Sequence, residues 1–300
     1  MQSSTLKTGV QGGEPERGQL LRIPEGGCKL AVSSRFERPL IYRQLLWTRI
    51  THWAWTLCLF FLLLSGLQIF MARPDLYIGQ ESGFAYDNTI LSIGAFMDGA
   101  AMKGRTILFG QAFDTTGWLG AVWEGDRLQP KSFPYWLTIP GYRDLATGRV
   151  VHLFFAWGLA ITLLVWLVAS LINRHVKELL PTGADIRHLP REAANHARLR
   201  FSREARYNAL QKLSYASVLF IALPLIIATG LTMSPGVNAV APWMLDVFGG
   251  RQTARTIHFV LMLYLVLFFV VHMVMVVLAG PINELRSMIT GWYRTDPESE

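Results

Sequence analysis

Charge is scarce in this chain and missing altogether from four long parts of it. Only 16% of its 300 residues are Asp, Glu, Lys or Arg, against 51% hydrophobic. Ile50 to Met71, Val151 to Ile172, Leu213 to Met233 and Thr256 to Gly280 contain none of the four charged types. Such a balance excludes an ordinary soluble domain, and each run is long enough to cross a hydrocarbon core as a helix. Cysteine is nearly absent too. Cys28 is expected in a leader and Cys58 inside the first span, so no disulfide framework is available. No Cys-x-x-Cys-His occurs, which excludes covalent haem attachment. The first apolar run begins too far in, and lacks the small-residue cleavage site, to be a removable signal peptide.

What charge there is lies unevenly. Residues 174–212 carry nine Lys/Arg against four acidic residues, and the leader to Arg49 carries eight against four. The connection 72–149 carries seven against eight. Positive connections stay in the cytoplasm, so both termini and the second connection are expected there. The first and third connections are expected outside. The net charge of +7 follows from this topology and does not point to nucleic acid. The expected fold is an all-α membrane protein, a four-helix transmembrane bundle with a long extracytoplasmic loop between helices 1 and 2. Residues 1–40 read as a mobile cytoplasmic leader, 41–294 as the transmembrane domain and 295–300 as a cytoplasmic tail. The spans are expected at about 50–71, 151–172, 213–233 and 256–280. Residues 72–149 form an ordered cap, either a lid over the bundle or a docking surface. Arg187 to Tyr207 reads as a basic amphipathic helix resting on membrane lipid.

Seven histidines occur, and four of them fall inside spans: His52, His152, His258 and His272. An ionisable side chain there is costly and marks a functional site by default. His258 and His272 are fourteen residues apart on one span. That spacing is about 21 Å along a helix and within roughly 40° of the same face. The topology puts His152 and His258 near the outer surface, and His52 and His272 toward the cytoplasm. Two imidazoles at each level suit a low-spin haem with two axial nitrogens. Zinc also takes imidazole but wants three or four ligands together. His175, just beyond the second span, could compete with His52 for the inner iron; His188 and His196 read as solvated.

Arg49, Arg149 and Arg255 each precede one of these histidines by three residues, on the same helix face. They could pair with haem propionates, or simply snorkel at span ends. Gly66 lies fourteen residues after His52, where a missing side chain would admit a flat porphyrin or a close helix contact. A faint internal echo runs through Ser65-Gly66-Leu67 and Thr229-Gly230-Leu231, and through Arg149-x-x-His152 and Arg255-x-x-His258.

These histidines resemble those of the bacterial cytochrome b561 and nickel-hydrogenase cytochrome b superfamily, which includes formate dehydrogenase gamma subunits. The likeness covers roughly residues 40 to 294. It extends to Tyr207-Asn208-Ala209-Leu210-Gln211-Lys212, with Leu210 where those subunits usually have Gly. Ala279 to Met288 is similar to the thiosulfate reductase-like branch found beside molybdopterin oxidoreductases. The resemblance implies two haem b groups and a quinone, with Asn208 and Lys212 at the quinone site. An N-cap role is the other reading of Asn208. Together these expectations describe a dihaem electron-transfer subunit of the bacterial inner membrane. It would link the quinone pool to a periplasmic, molybdopterin-dependent oxidoreductase. The rivals are a stand-alone quinone oxidoreductase, a hydrogenase cytochrome b subunit and a cofactor-free anchor.

Overall fold

The computed structural model describes residues 40–173, 176–197 and 209–294. The leader before Leu40, the tail from residue 295, His175 and Asn208 lie outside the described residues. The chain runs through β1 (Leu40–Tyr42), α1 (Leu46–Phe70), β2 (Asp75–Tyr77), β3 (Thr89–Asp98), β4 (Ala101–Leu108) and β5 (Gln111–Asp114). It continues through β6 (Ala121–Glu124), β7 (Arg127–Pro130), α2 (Leu145–Ile172), α3 (Val176–Leu179) and α4 (Gly183–Ala197). Then come α5 (Ala209–Ala216), a π-helical segment (Ser217–Ala222) and α6 (Leu223–Met233). The last elements are α7 (Pro235–Val240), α8 (Trp243–Val247), α9 (Arg251–Ala279), α10 (Pro281–Thr290) and β8 (Trp292–Arg294).

Four helical stretches are long and apolar enough to cross a membrane: Leu46–Phe70, Leu145–Ile172, Ala209–Met233 and Arg251–Ala279. Each starts before its charge-free run, because Arg49, Arg149, Lys212 and Arg255 all lie inside the helices. Their outward faces are apolar, with Phe154, Leu164, Leu267 and Val277 exposed. Such a surface suits hydrocarbon rather than water. Inward, Leu159, Leu163, Trp166, Val218 and Leu223 form the buried centre of the bundle.

Two antiparallel hairpins build it. α1 lies on α2, with Phe61 stacked on Phe155 at 4.2 Å and the Trp55 indole donating to Thr162 Oγ1 at 3.1 Å. The α5–α6 rod lies on α9, where Ser217 Oγ and the Tyr264 hydroxyl are 2.6 Å apart. The π-helical segment has a local cause. Pro224 has no N–H for the helical ladder, and just before it the Leu223 N–H reaches back five residues to the Val218 carbonyl. One wider turn absorbs the mismatch.

Eight strands among the described residues depart from the all-α expectation. β2, β3, β4 and β5 form one antiparallel sheet in that order, and β6 pairs with β7. The β3–β4 register runs from Leu91 opposite Leu108 to Asp98 opposite Ala101. Its residues are rich in Ile, Thr, Phe and Met, and Gly99 takes a positive φ of 61° at the turn. That composition and turn favour a hairpin over a helix. At the opposite end of the bundle, β1 pairs with β8 and joins the start of α1 to the end of α10.

The cap is stitched to the bundle. Phe70, Met71, Leu76, Ile93 and Phe133 form a second buried cluster. The Gly79 carbonyl accepts from the backbone N–H groups of Gln252 and Thr253 at 3.1 and 3.3 Å. Those donors open α9 and have no partner inside it. Thr256 Oγ1 donates to the Tyr77 carbonyl at 2.7 Å, and Phe70 stacks on Phe259. α2 is capped by Asp144, whose carboxylate accepts from the Thr147 N–H at 3.1 Å.

Candidate metal centres

The four histidines meet in two pairs, one at each end of the bundle. At the cap end, His152 of α2 faces His258 of α9, ring centroids 6.3 Å apart and planes at 56°. At the far end, His52 of α1 faces His272 of α9 at 6.4 Å and 55°. Imidazole nitrogens bind a metal at about 2 Å, and each ring centre lies about 1.1 Å behind its nitrogen. Two imidazoles sharing one metal from opposite sides would therefore have centroids roughly 6.3 Å apart. Both pairs have that separation, so their donor set fits a metal held between two axial nitrogens. His52 Nδ1 is also buried without a hydrogen-bond partner in the protein. Among the described residues no three His, Cys, Asp or Glu side chains come together, so neither pair forms a closed zinc site.

The cap-end pair has a defined surround. Ser65 Oγ is 3.1 Å from His152 Nδ1, and Thr229 Oγ1 is 3.1 Å from His258 Nδ1. A Cβ on Gly66 would lie 3.3 Å from His152 Cε1, and one on Gly230 would lie 3.3 Å from His258 Cε1. Gly66 thus gives room to an imidazole edge. Ser65, Thr229 and Gly230 were not singled out as site residues by the sequence reasoning. Their signal is the hydroxyl-glycine dipeptide that recurs in the two hairpins.

The arginines behave differently from one another. Arg255 donates to the Arg73 carbonyl, and its guanidinium lies 5.3 Å from the Phe70 ring centre. Arg49 donates to the Ile289 carbonyl, which ties α1 to α10 beside the far-end pair. Arg149 is exposed at the start of α2. Lys212 binds Asp185 of α4 at 3.0 Å. His188 is exposed.

Asp185 also accepts from the Thr182 N–H and hydroxyl, each at 2.8 Å. The Thr182 contacts first, and Lys212 after them, bring its carboxyl down to about 2. An unfolded Asp titrates at about 3.9. The folded value is the lower one, so this contribution to stability is complete above about pH 4 and disappears as pH falls through about 2. Asp185→Asn is expected to flatten the acid limb of unfolding over that window. Circular dichroism in detergent from pH 5 to pH 2 measures it.

A family model described as prokaryotic cytochrome b561 matches residues 43–291. The chain is also similar to a putative protein-methionine-sulfoxide reductase subunit YedZ1 of Azospira oryzae. The two are 27% identical over 247 residues, which is 82% of this chain and 94% of that protein.

Proposed function

Since this chain belongs to the prokaryotic cytochrome b561 family, a family of multi-pass membrane proteins that bind haem b and transport electrons, we propose that it is a dihaem electron-transfer subunit. In this reading it passes electrons across the bacterial inner membrane between the quinone pool and a periplasmic oxidoreductase. The observation that carries the reading is the pair of imidazole couples, each spaced for one shared metal.

His152 and His258 would hold the outer iron, and His52 and His272 the inner one. Haem b supplies a one-electron store at each level. The protein supplies the rest. α9 fixes one ligand of each pair on a single rigid rod, and α1 and α2 bring the partners. The apolar faces of the four spans exclude water. Arg49, Arg149 and Arg255 stand one turn nearer the surface than their histidines, where each could meet a propionate. The basic second connection favours a cytoplasmic position for the far end and both termini. Quinone exchange belongs at that end, near Asn208. Lys212 is held by Asp185 but, as an ammonium, keeps a donor for a quinone carbonyl.

The partner is proposed to be a molybdopterin enzyme seated on the cap side. The Azospira oryzae protein is described as a reductase subunit, which favours a partnered role over a stand-alone one. Haem quantification with a redox titration of the purified protein tests the reading. Two haems per chain and two one-electron waves are expected. A pigment-free, folded preparation would overturn it. Copurification with a soluble oxidoreductase separates the partnered reading from the stand-alone one.

A further inference from the structure

Both imidazoles of the cap-end pair meet a hydroxyl at the same nitrogen, and the direction of that hydrogen bond can be worked out. Ser65 Oγ donates its only hydrogen to the Phe61 carbonyl at 2.6 Å. Thr229 Oγ1 donates its own to the Leu225 carbonyl at 2.9 Å. Each oxygen can then only accept from the facing ring nitrogen. Nδ1 therefore carries the proton on both rings, and Nε2 is the bare nitrogen. Both hydroxyls are fully buried, at 0% exposure, so water does not compete for these bonds. The far-end pair lacks the arrangement, since His52 Nδ1 has no partner in the protein.

We propose that Ser65 and Thr229 are positioning residues for the outer metal. Their hydroxyls hold the His152 and His258 rings with Nε2 turned toward a shared iron, and they set that iron's reduction potential below what bare imidazoles would give. The proposal rests on the bis-imidazole reading above. A hydrogen bond accepted from Nδ1–H makes the ring a stronger donor at Nε2 and favours the ferric ion, which carries the higher charge. Two helices from different hairpins supply the same device, so it doubles at one iron. Gly66 and Gly230 follow the two hydroxyl residues directly and leave the space each ring occupies.

The test is a spectroelectrochemical titration of the full-length protein. His258→Ala first identifies which component is the outer haem. The double variant Ser65→Ala with Thr229→Val removes both hydroxyls with little change of volume. Its outer component is expected to move upward by about threefold in ferrous-to-ferric ratio, about 30 mV at 59 mV per tenfold. The inner component should stay where it was. The outer low-spin ferric signal in electron paramagnetic resonance should shift as the rings reorient. Thr229→Ser, which keeps the hydroxyl, should restore the original potential when paired with wild-type Ser65. Unmoved potentials and spectra in the double variant would overturn the proposal. So would an equal shift in Thr229→Ser. Loss of the outer haem in Thr229→Val but not Thr229→Ser supports it, and loss in both counts against it. Absence of the outer haem from the unaltered protein would instead sink the bis-imidazole reading itself.

Discussion

On the proposed dihaem reading, replacing His258 with alanine is expected to lower the haem content from about two per chain to about one. His258 and His152 face each other at 6.3 Å between ring centres, and neither comes with a third ligand among the described residues. One imidazole left alone cannot keep a six-coordinate, low-spin iron, so the outer site should empty or turn high-spin. His272 lies fourteen residues further along α9, about 21 Å away along the helix axis. The inner haem should therefore survive with its own potential. His272→Ala is the mirror experiment and should spare the outer haem. Pyridine haemochrome content and the reduced spectrum read both. Retention of two low-spin haems in either variant would refute the pairing.

The second large effect concerns the cap. Gly104 stands in β4, where the chain between residues 115 and 121 crosses its face. A Cβ there would lie 2.2 Å from the Leu119 carbonyl oxygen and 2.8 Å from the Ala121 nitrogen. Both are backbone atoms and cannot swing aside as a flexible side chain would. Ala121 and Val122 are buried, at 0% and 2% exposure, so the crossing segment is packed on its other side too. Gly104→Val should cost the cap about 3 kcal/mol or more through overpacking. The expected result is rapid proteolysis within residues 89–130 while the haem spectrum of the bundle persists. A variant that loses both haems as well would show that cap and bundle fold as one cooperative unit.

The four spans were readable because lipid leaves a simple signature, a long run without charge. The histidine pairing followed from the topology, since helix direction fixes which ends of two spans meet. Other features depend on contacts between distant segments. The cap's strands were missed because Thr89–Asp98 and Ala101–Leu108 are half-exposed and show no clean apolar alternation. Their pairing is fixed by the Asp98-Gly99 turn rather than by pattern. Lys212 looked available to quinone in the sequence. In the fold it is paired with Asp185, twenty-seven residues earlier. Ser65 and Thr229 are ordinary small polar residues on apolar helices. Only the neighbouring helix in each hairpin shows that a ring nitrogen sits opposite them.

The attachment of Gly79 to α9 bears on how this membrane unit can be simplified. Gln252, Thr253, Arg255 and Thr256 all depend on carbonyls from residues 73–79 for hydrogen bonds. Excising the connection between the first two spans would strip acceptors from the start of the rod that carries one histidine of each couple. A minimal version would need to retain residues 72–80, and could shed the β3–β4 hairpin more safely than the short strand before it.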